Sequence, residues 1–228
     1  MTQARFGDAL LFTDASNLAL PDRVRRVEIA RLTSSEAYSR FVLRELAPWI
    51  ATSHCLIVQW DGFIVNPHLW DEGFLAYDYI GASWPQFTDE HDVGNGGFSL
   101  RSKRLLQACR SLAFRYDGEA EDLAICRTNR GMLEKEHALR FADRAVADRF
   151  AAERRSRVSD TFGFHGAFNL IDAVGPEAAG QIFCKLDHRA SLRVDFWSIL
   201  FKMLRRGAIR KALDFAFSRD KATRHNRL

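Results

Sequence analysis

The sequence predicts an α/β fold. Two observations carry that expectation: short apolar runs closed by polar residues, and amphipathic segments of helical spacing set between them. Ala9 to Phe12, in GDALLFTD, is the first strand-like run, and Val27 to Ile29 is the second. Thr33 to Glu36 spells T-S-S-E, a capping box. Tyr38, Phe41, Val42, Leu46 and Trp49 then recur with helical spacing. His54 to Gln59, HCLIVQ, is again continuously apolar. Runs of this kind, alternating with helices, read as strands of a sheet covered on both faces.

Farther along lie the aromatic stretch FLAYDYIGASWP and the glycine cluster VGNGGFSLRS, which passes into a strand-like FSL. A helix is expected from Lys103 to Phe114. Another starts near Glu119 and carries Glu121, Asp122, Ile125 and Cys126, and a third covers Asp143 to Arg155, before TFGFHGAFNL. A chain of 228 residues, 47% hydrophobic, can bury one substantial core. The four cysteines, Cys55, Cys109, Cys126 and Cys184, lack the close pairs of a zinc knuckle or a disulfide framework, so they read as reduced thiols. No leader-like segment opens the chain, and no run of about 18 apolar residues could span a bilayer. A cytoplasmic location is the expectation.

Charge is unevenly distributed. Lys202 to Leu228 holds nine Lys or Arg against two Asp, which leaves the rest of the chain mildly acidic. A boundary is expected between Asp187 and Arg193, giving a body at 1–190 and a basic tail at 191–228. From Arg193 to Phe217 the tail reads as a basic amphipathic helix, with Phe196, Ile199, Leu200, Met203, Leu204 and Leu213 opposed to Arg205, Arg206, Arg210 and Lys211. Such a helix suits an anionic membrane surface or packing against the body. Nucleic-acid binding is not expected, because basic residues concentrate in the tail and are not interleaved with aromatics in the body.

Four segments contain residues able to do chemistry. Gln59, Trp60, Asp61 and Gly62 follow a strand, and ligands of open α/β sheets bind beyond the carboxyl ends of strands. Asp61 there reads either as a cation ligand or as a turn-capping aspartate. Asn95, Gly96, Gly97 and Arg101 belong to a segment whose glycines would let a ligand lie against the backbone, or form a tight turn. Glu121 and Asp122 sit at a helix start about 100° apart, so one of them can face a cleft as a general base. His165, in FGFHGAF, reads as a metal ligand or as a structural histidine.

Taken in order, QWDGF, FLAYDYIGASWP, VGNGGFSLRS, EDLAIC, FADRAVADRF and TFGFHGAFNL resemble a largely uncharacterised bacterial family of glycosyltransferases in the GT-A nucleotide-diphosphosugar transferase superfamily. The resemblance runs from about Phe6 to Leu170. It implies a GT-A-like, Rossmann-like mixed sheet flanked by helices, with the basic helix appended. It implies a divalent cation, Mn2+ or Mg2+, held by Asp61, where relatives have a D-x-D-like motif, and by His165; this sequence has one aspartate where many relatives have two. Asp122 matches the base, with Glu121 as competitor, and Asp78, Tyr79 and Trp84 match a substrate wall beside Tyr77. The implied activity is transfer of a hexose-type sugar from a nucleotide donor such as a UDP-sugar to a glycan or lipid-linked hydroxyl. Surface polysaccharide synthesis at the inner face of the cell membrane is the implied setting. The pattern enters at ARFGDALLFTD, after the first strand and helix of such folds, so a degenerate, non-catalytic glycan-binding homologue is the alternative.

Overall fold

The structure, a computed structural model, describes residues 5–154, 156–186 and 190–224. Strands β1 (Leu10–Thr13) and β2 (Arg25–Glu28) pair in parallel. Helix α1 (Ser35–Arg44) follows, and the expected cap is present one residue later than the motif suggested: Ser34, not Thr33, accepts the Ala37 amide at 3.0 Å. Phe41, Val42 and Leu43 turn inward from α1 onto the strand β3 (His54–Val58) and its neighbours. Two-residue strands β4 (Phe63–Ile64) and β5 (Tyr79–Ile80) come next, then β6 (Phe98–Ser102).

Strand β6 is the centre of the molecule. It lies antiparallel between β3 and β5, and all five of its residues are buried. Phe98 and Leu100 join Phe74, Ile80, Phe150 and Phe162 in an aromatic core on one face. The opposite face carries Ser99 and Arg101, with Tyr79 leading into a second core of Leu105, Ile125, Leu133 and Phe141. The sheet is therefore covered on both sides, as expected. It is not one continuous sheet, however: among the described residues β1–β2, β3–β6–β5 and a third group, in which β4 pairs with β8 (Gly163–Phe164) and β8 with β7 (Ala151–Ala152), are three small sheets, mostly antiparallel in their pairing. The mixed α/β character is as expected and the order β2, α1, β3 alternates, but no α-helix separates β1 from β2 or interrupts β3 to β6, and the sheet is divided.

The helices after β6 are shorter than periodicity suggested. Ser102 caps α2 (Lys103–Ala108) by accepting the Leu105 amide, and the helix ends six residues before the expected Phe114. Helix α3 (Glu121–Leu123) widens at once into a π turn at Ala124–Thr128, and α4 (Arg130–His137) continues beyond it. Asp143 caps α5 (Arg144–Phe150) through the Val146 amide. The expected helix to Arg155 stops there instead, because Ala151–Ala152 forms β7, parallel to β8 (Gly163–Phe164). Arg155 itself lies outside the described residues.

Beyond β8, α6 (Ala167–Lys185) breaks at Gly175, whose φ of 81° suits glycine, and Pro176 begins its second run. The tail is three helices and not one: α7 (Ala190–Val194), α8 (Phe196–Arg205) and α9 (Ile209–Arg224), the last two divided at Gly207 with φ 75°. Phe196, Ile199, Met203, Ala212 and Phe215 form one core with Leu170, Ile171, Ala179 and Phe183 of α6, so the tail helices are packed onto the body through α6. The expected boundary between Asp187 and Arg193 lies partly outside the described residues. No helix among them is long and apolar enough to cross a membrane.

Asp78, expected to line a substrate wall, belongs to this frame. One carboxylate oxygen accepts the Ser102 hydroxyl and the other accepts the Arg140 amide at 2.8 Å, tying β5 to the start of α2. Asp78→Ala leaves the buried Ser102 hydroxyl and the part-buried Arg140 amide without this acceptor, and should cost about 1–3 kcal/mol in the urea unfolding free energy.

Candidate functional site

Beyond the carboxyl end of β3, residues Gln59 to Gly62 make a turn in which the Gly62 amide donates to the Gln59 carbonyl. The Gln59 amide in turn donates to the Gly97 carbonyl at 2.8 Å, so the turn hangs on the backbone just before β6. Asp61, at the crest of the turn, is 4% exposed. A carboxylate placed there by turn geometry alone would face water, and this one faces protein.

What it faces is His165. The imidazole Nε2 lies 3.2 Å from Asp61 Oδ1, and Nδ1 lies 3.6 Å from Glu153 Oε1. Burial works against the charged ring, but Asp61 and then Glu153 outweigh it and carry its pKa up to about 10. Charge attraction holds the cluster without aligned hydrogen bonds: neither ring nitrogen, nor Oδ1 of Asp61, has a hydrogen-bond partner. The chain delivers these groups through β7 and β8. Ala152 pairs with Phe164, which sets Glu153 opposite His165, and the His165 amide donates to the Ala152 carbonyl. Asn169 then bonds both the Glu153 and His165 carbonyls from α6.

The glycines explain how His165 reaches this position. A Cβ on Gly97 would lie 2.0 Å from His165 Nε2, and one on Gly96 would lie 1.9 Å from Glu121 Oε1. Either contact would force the facing side chain to move, so glycine at both positions lets His165 and Glu121 stand where they are. Gly94 leaves the same kind of space for the Trp84 ring. The cluster was expected to bring a ligand against the backbone; its occupants are the protein's own side chains. Asn95, with φ 63°, turns the chain and accepts the Gly97 amide through Oδ1.

The two acidic neighbours part company. Glu121 is buried in an ion pair with Arg101, Oε1 to Nη2 at 2.8 Å, while Arg101 also donates to Ser99 Oγ and stacks over Tyr79. Glu121 is therefore a structural counter-ion, which corrects its reading as a base. Asp122 accepts the Gly96 amide at 3.0 Å and stays partly exposed. Burial, and after it the Glu121 carboxylate, pushes the Asp122 carboxyl up, against the pull of the Gly96 amide and Arg101. A carboxylate destabilised in its charged form is a better proton acceptor.

The structure thus gathers Gln59, Asp61, Gly62, Gly96, Gly97, Asp122 and His165 around one dipeptide. Arg101 and Glu121 lie beneath it. Trp60 is exposed beside Asp61, with its edge toward Phe183 of α6. Asp78, Tyr79 and Trp84 do not belong to the site: Tyr79 is fully buried against Phe141, and Trp84 packs on Gly94 and Phe87. Glu153 and Asn169 were missed. Glu153 sat within the helix expected from Asp143 to Arg155, and only the β7–β8 register exposes its position opposite His165.

A divalent cation bound here would take Asp61 and His165, the imidazole giving up its proton on binding. Two ligands at right angles on a cation, each about 2.1–2.2 Å from it, stand about 3 Å apart, and Asp61 Oδ1 and His165 Nε2 are 3.2 Å apart with no competing hydrogen bond. Glu153 on Nδ1 is the outer carboxylate that commonly orients a ligating histidine. Among the described residues no group of three or more His, Cys, Asp or Glu is arranged to hold a metal.

Adjacent substitutions separate the two acids. Glu121→Ala strands the buried Arg101 and should cost about 3–5 kcal/mol of stability. Because the raised pKa of Asp122 makes the folded state hold its proton to higher pH, stability is lost as pH rises through that pKa. Urea unfolding of Asp122→Asn at a series of pH values should show the variant gaining on the parent protein over that rise; a constant difference would refute the shift.

A family model described as a protein of unknown function (DUF5672) matches residues 22–165, a span that includes Asp61, the glycine pair, Asp122, Glu153 and His165. No curated protein and no solved structure matches the chain. The family match covers more than half of the sequence, and the protein belongs to the DUF5672 family.

Proposed function

We propose that the protein is a glycosyltransferase of GT-A type, moving a sugar from a nucleotide donor to a hydroxyl of a glycan or lipid-linked acceptor. The observation that carries this reading is the pair Asp61 and His165, 3.2 Å apart at the carboxyl end of β3 and pressed against Gly97. The ordered motifs from QWDGF to GFHGAF support it from the sequence side.

In this reading Asp61 and His165 hold Mn2+ or Mg2+, which supplies Lewis-acid neutralisation of charge on a departing nucleoside diphosphate. Glu153 keeps the His165 ring oriented, and Asn169 fixes the backbone on both sides of that contact. Asp122 accepts the proton of the acceptor hydroxyl as that oxygen bonds to the sugar carbon and the bond from carbon to the diphosphate oxygen breaks. Its bond from Gly96 aims it, and its raised pKa makes it a stronger proton acceptor than an ordinary aspartate. Trp60, exposed next to Asp61, offers an aromatic face on which a sugar or base ring can pack.

Incubation with Mn2+ and a panel of nucleotide sugars, UDP-sugars first, should yield transfer or slow hydrolysis with at least one of them. Silence across the panel, together with no calorimetric binding of any nucleoside diphosphate, would overturn the proposal. Asp61→Ala should abolish metal-dependent nucleotide binding, whereas Asp122→Asn should keep that binding and lower kcat by about 10²–10⁴.

A further inference from the structure

The amphipathic helix α8 has two apolar faces. Phe196, Ile199 and Met203 point into the core shared with α6 and α9. On the outer side Trp197 is 61% exposed, Phe201 58% and Leu204 40%, and these positions at i, i+4 and i+7 form one stripe. The Trp197 and Phe201 rings stack with centroids 6.1 Å apart, so the stripe has a preformed aromatic ridge. Val194 before α8, and Ile209 and Leu213 on α9, are also largely exposed. Isolated exposed apolar residues are ordinary; a stripe of this kind on a helix already anchored by its other face is not.

The charges around it are of one sign. Residues 192–216 carry six Lys or Arg and two Asp. Asp195 is buried and held by Arg154, and Asp214 lies near Lys211. Asp172 of α6 takes Lys202 and Arg206. Among the described residues no carboxylate pairs with Arg193, Arg205 or Arg210, all of them exposed. Along α8, Arg205 follows the stripe directly, and a shallow depression beside it is lined by Phe168, Ser198, Phe201, Lys202 and Arg205.

We infer that the outer face of α8, with Trp197, Phe201 and Leu204 continued by Arg205, docks the protein on an anionic lipid surface, the exposed Arg210 of α9 adding positive charge. Indole and phenyl rings enter the boundary between headgroups and acyl chains, and the arginines reach the lipid phosphates from the edges. A second copy of the chain is disfavoured as the occupant, because a two-fold pairing would set like-charged rims against each other. The inference stands apart from the transfer reaction and needs no donor or cation.

Cosedimentation of the full chain with phosphatidylcholine vesicles, with and without phosphatidylglycerol, tests it. Binding should appear with the anionic vesicles only and weaken as salt rises. Arg205→Ala and Arg210→Ala should each weaken it roughly fivefold. Trp197→Ser with Phe201→Ser should weaken it by more than about tenfold while circular dichroism shows the helices intact. Equal partitioning onto neutral and anionic vesicles, or undiminished binding by the double serine variant, would overturn the inference. So would a dimer, seen by light scattering and abolished by the same variant, in a protein that ignores vesicles.

Discussion

Two α-carbons without side chains, those of Gly96 and Gly97, control how the rest of the site fits together. The His165 ring fills the space where one Cβ would be and the Glu121 carboxylate fills the other. Residues from the β3 turn, from α3 and from the end of β8 thus converge on a single dipeptide, where any added side chain would have to displace them. The constraint reaches into β6, because the same backbone leads directly to Phe98, the residue on which the aromatic core turns.

Beneath the dipeptide, the Arg101–Glu121 pair shows why burial of charge is tolerated here. Arg101 is fully buried, and it is matched by a carboxylate, a serine oxygen and the face of Tyr79. An isolated guanidinium in that position would be prohibitive; a paired one specifies the arrangement of β6 against α3. With Glu121 so occupied, its charge falls on Asp122 as repulsion. The structural acid thereby raises the proton affinity of its neighbour.

The helical part follows directly from this site. His165 is the last residue of the family match, Gly166 with φ 104° turns the chain, and α6 begins at once. Asn169 in the first turn of α6 reaches back to the carbonyls of Glu153 and His165. Through α6 the helices α8 and α9 acquire an inner face, and so their outer face is held in a fixed orientation.

Local patterns were legible wherever a short stretch decides the outcome by itself. The apolar runs of β1, β2 and β3, the start of α1 near its capping motif, and the position of Asp61 beyond a strand were all present in the sequence. Glycine spacing marked the loop before β6, although its occupants were not foreseen. Tertiary structure alone decided which groups meet. Asp61 and His165 are more than a hundred residues apart in sequence, and Glu153 enters only through the register of two two-residue strands. Periodicity failed at Ala151, because a pair of small buried residues fits a helix or a strand equally well until a partner strand supplies hydrogen bonds. The resemblance matched Asp78 and Tyr79 to a binding wall, whereas the carboxylate and the phenol are buried parts of the frame. Short-range chemistry fixes caps, turns and the need for glycine; long-range packing fixes which charges are desolvated together, and that decides which of them can act.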